Sequence, residues 1–358
     1  MSLLSFEEGY AQRIWGGNKL RTLYGKDTSS SAPVGEAWLI ADHEEHVSVV
    51  SDEPDAGRKL CELLMEDAAG LLGSRACLTT HGRFPLLLKL LDVGDKLSIQ
   101  VHPDDECAKR LGEPDVGKTE MWYVLQGDEG SELYCGLKGD VTREVFADAI
   151  AKGTSADLLA RFPAMEGTSV LVPAGTVHAI RGGCLLAEIQ QSSDITYRIY
   201  DWDRVEADGS KRELHIERAL EAVHFGSQHA GAAKPLSYAS GASEVSVLAA
   251  CNYFAAESVQ VKGRYACDTR GESFTLLLAT SGGVSVQAGK DERNLPVGTA
   301  LMVRGSESSF YVEGEGSLLK YYVADLQRDV VTPLRDVGHP RESILALGGD
   351  SSSRELAD

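Results

Sequence analysis

The chain has 358 residues, 43% of them apolar and 25% charged, the balance of a globular protein of about two domains. Asp and Glu outnumber Lys and Arg by 54 to 35, a net charge of −19. That excess excludes non-specific nucleic-acid binding, which needs cations to displace counterions, and docking on an anionic membrane. It leaves room for an anionic small substrate, because a pocket sets its own local field.

In chain order, Glu7 and Glu8 stand where an export signal would be apolar, so the N-terminus does not read as a leader. Short apolar stretches at 37–40, 47–50, 86–91, 97–101, 121–125, 169–172 and 184–190 are separated by Gly, Asp, Pro and Ser. Short strands at close spacing predict a sandwich or barrel. The densest apolar run, 84–91, is interrupted by Lys89 and is too short to span a membrane. Helical spacing predicts a helix over 55–72, and another over 142–152 with Thr142 as N-cap and Gly153 as stop. Shorter helices are expected at 156–162 and 214–223. A Gly/Ala/Ser/His-rich stretch at 226–237 predicts a domain boundary, and alternating strands resume over 244–324. After Asp325 the pattern dissolves, and residues 327–358 read as a frayed or disordered tail. The domains are therefore expected at 1–232, 233–326 and a tail. The seven Cys, an odd number without a C-x-x-C pair, predict reduced thiols in a cytoplasmic protein.

Chemistry concentrates in 84–204. In the segment GDKLSIQVH, residues 94–102, Ser98, Gln100 and His102 alternate with apolar residues, so a strand puts all three on one face. Gln100 and His102 can thus point at one ion. The segment GTSVLVPAGTVH, residues 167–178, is a strand, a Pro-x-Gly turn and His178. Together they resemble the two signature motifs of the cupin superfamily, G-x5-H-x-H-x3,4-E and G-x5-P-x-G-x2-H, with Gln100 in place of the first His. That resemblance implies a metal held inside a small β-barrel. Two carboxylates compete for the remaining ligand. Glu106 has the motif's spacing but lies beyond the turn begun by Pro103; Glu120 opens the next strand and is preferred. A Gln100, His102, Glu120, His178 set suits zinc, with manganese, iron or cobalt tolerated.

Further blocks narrow the resemblance. They are IWGG at 14–17, GEAW at 35–38, FPLLLK at 84–89, LSIQVHPDD at 97–105, GKTE at 117–120, VPAGTVHAI at 172–180, EIQQSSD at 188–194 and YRIYDWDR at 197–204. In order and composition these resemble the type I mannose-6-phosphate isomerases in their short bacterial form, over about residues 6–325. The resemblance implies one zinc on the four ligands named, and conversion of mannose 6-phosphate to fructose 6-phosphate through a cis-enediol(ate). It implies Arg198 for ring opening and enediol stabilisation, Lys118 as a catalytic lysine, and Asp194 and Glu188 as proton-transfer groups. Which of them is the base stays open. Glu188 shares a strand face with Gln190 and could equally support a ligand. Lys89 and Ser98 are weaker candidates for the phosphate, with Lys89 read rather as a strand-edge charge. No space between Glu120 and His178 accommodates the helical insertion of the long forms.

The expected fold is mainly β: two cupin-like jelly-roll barrels with a few short helices. The second is expected without metal, because residues 298–309 repeat 167–178 at an offset of 131 with Arg304, Ser306 and Ser309 replacing Pro, Gly and His. A cupin oxygenase using iron shares the metal frame but leaves Lys118 and Arg198 without a task. A non-catalytic sugar-phosphate sensor need not keep the full ligand set. The partner implied is a sugar phosphate, and the protein is expected as a monomer or homodimer. Even the 84–204 segment is acidic, with 12 basic against 20 acidic residues, so the metal and inward cations would have to reverse the field locally.

Overall fold

The computed structural model describes residues 1–28, 32–205, 209–226, 234–349 and 356. Strands dominate and the helices are short, as the close-spaced apolar stretches predict. The chain forms two compact units: residues 10–37 with 89–232, and residues 1–9 with 38–88 and 233–358. No helix is long and apolar enough to cross a membrane among the described residues.

The unit holding 89–232 is built on two antiparallel sheets. One orders its strands Ser169–Val172, Glu120–Gly127, Cys184–Gln191, Leu86–Val93, Gly9–Gly17 and Val34–Ile40. The other orders Leu159–Pro163, Glu132–Leu137, His178–Arg181, Ile99–Val101 and Tyr197–Tyr200. Their inner faces meet in one core that includes Leu91, Val93, Trp122, Val124, Leu133, Cys135, Ile180, Cys184 and Leu186. Because side chains alternate along a strand, these faces continue in steps of two. Val124 and Trp122 lead to Glu120; Leu186 leads to Glu188 and Gln190; Val93 and Leu91 lead to Lys89; Ile180 leads to His178. The same faces that are apolar at one end turn polar at the other, and the polar ends converge.

In the other unit, one sheet carries Leu3–Ser5, Ala300–Val303, Thr275–Ala288, Ser309–Tyr322, Ala255–Asp268, Ser243–Ala250 and Leu236–Ser240 in that order, with Asp291–Leu295 paired to Thr275–Ala288. Within the stretch 244–324, where alternating strands are expected, Thr275–Ala288 is one long bent strand. Its register shifts between Ala279 and Ser281, beside Gly282. Gly282 has φ +73°, and a Cβ there would lie 2.2 Å from the Glu315 carbonyl oxygen, so only glycine fits the bend.

One further expectation holds and two change. The helix over 142–152 forms at Arg143–Ala151, with the Thr142 hydroxyl accepting from the Val145 N–H. The helix expected over 156–162 is instead a single 3-10 turn, Ser155–Leu158, followed by a strand paired with Glu132–Leu137, so cross-strand pairing overrides local propensity. The supposed tail is ordered from 326 to 349. Helical turns at Leu326–Val331, Thr332–Asp336, Arg341–Leu345 and Ala346–Gly348 bury Val330, Leu334, Ile344 and Leu347 against Leu236, Val247, Ala250 and Ala255. The i,i+4 pair Val330/Leu334 and the i,i+3 pair Ile344/Leu347 were the signal for this, diluted by charge and glycine. Residues 350–355, 357 and 358 lie outside the described residues.

Candidate metal centre

Strand register assembles the site. Gln100 lies opposite His178 on one side and opposite Arg198 on the other. In the facing sheet Gln190 lies opposite Glu120, and Glu188 opposite Trp122. His102 follows directly on the strand end. The Pro173–Gly175 turn that delivers His178 is tied to this strand end by the Gly175 N–H, which donates to the His102 carbonyl at 2.8 Å. Gly175 has φ +83°, the left-handed region that glycine enters without strain.

His102 Nε2 lies 3.4 Å from Glu120 Oε2, and His178 Nε2 lies 3.4 Å from Glu120 Oε1. All three residues are about 1% exposed. Each imidazole is oriented through its other nitrogen. His102 Nδ1 pairs with the Ile195 carbonyl at 2.6 Å, and His178 Nδ1 with the Thr176 carbonyl at 2.8 Å. A carbonyl only accepts, so both Nδ1 atoms carry the proton and both Nε2 atoms present lone pairs. Burial keeps the rings neutral; it pushes His178 down to about 3 and also lowers His102. Four lone-pair atoms therefore converge, and His102 Nε2, Glu120 Oε1 and Glu120 Oε2 have no hydrogen-bond donor among the described residues. Buried acceptors without donors are costly and mutually repulsive. A cation resolves this, and the three residues form a group that could hold a metal ion.

Lys118 supplies one positive charge, with Nζ 3.2 Å from Glu120 Oε2. Burial works to neutralise this ammonium, but Glu120, Glu188 and Asp194 hold its pKa above the ordinary lysine range. Burial likewise works to protonate Glu120, but Lys118 and the two imidazoles keep it well below the usual carboxylate range. Gln100 Nε2 sits 3.2 Å from His178 Nε2, while its Oε1 accepts from the Ser98 hydroxyl at 3.1 Å. Ser98 thus orients the amide.

Glu188 behaves differently from Glu120. Burial first, then the Glu120 charge, pushes its carboxyl up to about 7, against the pull of Lys118 and Lys89. Its Oε2 accepts from Trp122 Nε1 at 3.0 Å, and the Trp122 ring meets His178 edge to face at 5.4 Å. Asp194 lies 4.0 Å from Lys89 Nζ. Lys89 is not a strand-edge charge: it is 2% exposed on an inner face, and it also meets Glu36 at 3.8 Å. Arg13 in turn pairs with Glu36 at 3.1 Å. Arg198 is half-buried, and its guanidinium donates to the Glu213 carbonyl at 3.0 Å. Glu106, the rejected ligand, is exposed on the helix Asp105–Leu111 that follows Pro103. Sequence reasoning missed Trp122, Glu36 and Arg13. For Trp122 the signal was present, two residues from Glu120 and so on the same strand face.

Residues 3–127 match the catalytic domain of type I phosphomannose isomerase. The mannose-6-phosphate isomerase of Streptococcus mutans is 35% identical over 304 residues, covering 85% of this chain and 93% of the relative. The crystal structure of the mannose 6-phosphate isomerase from Bacillus subtilis superposes with a TM-score of 0.81 at 30% identity, covering 90% of this chain and 99% of that one. A zinc-bound mannose 6-phosphate isomerase shares the fold at a TM-score of 0.73 and 16% identity, covering 90% of this chain and 100% of that one. With the relatives matched over most of their length, the chain belongs to the type I mannose-6-phosphate isomerase family.

Proposed function

We propose that the protein interconverts mannose 6-phosphate and fructose 6-phosphate, with one zinc ion held by Gln100, His102, Glu120 and His178. The observation that carries this reading is the convergence of two imidazole lone pairs on a carboxylate paired with one buried ammonium, beside a carboxyl near neutrality. Rotating the Gln100 amide by half a turn presents its oxygen to the group, and the Ser98 hydroxyl, which can donate or accept, serves either orientation. Zinc, when bound there, supplies Lewis acidity toward a sugar oxygen.

The chain's own residues account for the proton movements. Arg198 assists ring opening. In the open aldose, the C2–H bond breaks and its proton passes to a carboxylate. The C1 carbonyl oxygen takes up negative charge and then a proton, giving the cis-enediol. The C1–H bond then forms as the O2 proton leaves and C2 becomes the carbonyl. Glu188 suits the carbon-to-carbon transfer, because a carboxyl near neutrality both takes and returns a proton, and Trp122 fixes its orientation. Lys118 places a permanent positive charge where the enediolate oxygen develops. Asp194, paired with Lys89, is the second carboxylate of the cluster.

We further read residues 233–326 as a second cupin-like barrel without metal. The seven free cysteines support a cytoplasmic location. The test is a coupled assay for fructose 6-phosphate formed from mannose 6-phosphate by the zinc-replete protein. Steady turnover that a chelator abolishes and zinc restores is expected; no turnover by zinc-replete protein overturns the reading.

A further inference from the structure

The sheet of the unit holding 233–358 also turns polar at one end. Val259, Val261 and Tyr265 on one strand, with Leu318 on the next, belong to its apolar core. In steps of two the same faces continue to Glu257 and Lys320. Both are buried, Glu257 at 0% and Lys320 at 5% exposure, and Lys320 Nζ lies 2.6 Å from Glu257 Oε2. Lys320 Nζ also donates to the Tyr265 hydroxyl at 3.2 Å, and the Tyr322 hydroxyl donates to Glu257 Oε1 at 2.6 Å. An apolar pair of the same volume would serve stability as well or better, since desolvating two charges costs several kcal/mol per ion. The catalytic reading gives this pair no task.

The pair borders a cavity of about 230 Å³. Tyr238 and Thr275 line it, and Arg328 and Asp329 from the C-terminal helical turns form part of its wall. The turns after Asp325 therefore complete a chamber as well as a core. At about 30 Å³ per water, the chamber holds roughly eight waters or one small organic molecule.

The fixed charges narrow the occupant. Lys320 is engaged by Glu257, and Arg328 by both Asp329 and Glu272. An anion would have to break those pairs, and a cation would meet the same arginine and lysine. Glu257 is fully buried within its pair with Lys320, so the polar groups left to a ligand are the uncharged hydroxyls of Tyr238, Ser240 and Thr275 in the lining. A ligand hydroxyl suits these groups, because it both donates to and accepts from another hydroxyl without adding charge.

We propose that this chamber is a binding site, separate from the metal centre, for a small neutral polyhydroxylated molecule of about monosaccharide size. The test is calorimetric titration of the zinc-loaded full-length protein with mannose, with mannitol, and with inorganic phosphate as the anionic control. One saturable site for at least one of the two neutral probes is expected, with phosphate giving no heat at this site. Thr275→Val and Tyr238→Phe, each removing one lining hydroxyl at nearly constant shape, should weaken binding about tenfold at unchanged melting temperature. Binding should persist in His178→Ala. Three results overturn the proposal: no saturable binding of either neutral probe, binding lost in His178→Ala but kept in both lining variants, or phosphate occupying the chamber in preference to them.

Discussion

Residues 167–178 and 298–309 begin alike and end differently. Gly167 and Gly298 both take positive φ, +82° and +80°. Each leads into a four-residue strand, Ser169–Val172 and Ala300–Val303. The turns then diverge. Gly175 donates to the His102 carbonyl and carries the chain to a buried His178. The backbone of Arg304, Gly305 and Ser306 is instead bonded to Ser2, Leu71 and Gly70, and Ser309 opens its strand exposed. Each unit still has a carboxylate at the polar end of its sheet interior, and each carboxylate has a lysine. Glu257 faces one ammonium at 2.6 Å and its charge is balanced. Glu120 has Lys118 at 3.2 Å but also faces two imidazole lone pairs, so the cluster calls for a further cation. The two stretches begin with the same glycine and strand, and the chemistry depends on whether the buried acceptors outnumber the built-in cations.

Four perturbations test that contrast. The largest effect is expected for His178→Ala, which removes one of the converging lone pairs. Metal content and turnover should fall together, turnover by more than about 100-fold; full metal stoichiometry by elemental analysis would break the assignment. Lys320→Met should spare zinc content and turnover but destabilise the fold by about 3–5 kcal/mol in urea unfolding, because Glu257 is left buried and unpaired. Adding Glu257→Gln should recover most of that loss, and a single variant as stable as the parent would show the pair to be solvated.

Glu188→Gln addresses the site's strained carboxyl. The folded pKa is raised to about 7 from an ordinary 4.5, so the protonated group favours folding. That contribution is complete below pH 4.5 and is lost as pH rises through 7. In metal-free protein the substitution should raise stability by about 2–3 kcal/mol at pH 8 and not at pH 4, while cutting turnover of the zinc form. Equal shifts at both pH values would remove the argument. The smallest effect is expected for Ser309→His. Restoring the histidine at an exposed position should change stability by less than about 0.5 kcal/mol and add no second zinc. A second equivalent of bound zinc would show that the two regions differ by one side chain only.

Much of the metal site was legible because strand alternation is a one-dimensional rule. Gln100 and His102 share a face two residues apart, and Pro103 already argued against Glu106. The partners of Glu188 were not legible. Trp122 reaches it across a strand pairing, and Lys89 and Glu36 reach each other from distant segments, so no local pattern encodes them. The ordering of 326–349 was missed for a related reason. Its few apolar residues are too sparse to predict a helix alone, and they are stabilised only by the strands they cover.

From the sequence alone come the mainly β character, the inward residues of each strand and the family, since alternation and motif order need no three-dimensional information. Tertiary structure decided which units the segments join, with 1–9 and 38–88 grouped with the C-terminal residues. It also decided which carboxylates stay charged. Glu120 and Glu188 are both buried acids on neighbouring strands. One is held ionised by an ammonium at 3.2 Å and the other is lifted toward neutrality by burial and by the first. That difference is a matter of distance and desolvation, which no linear pattern records.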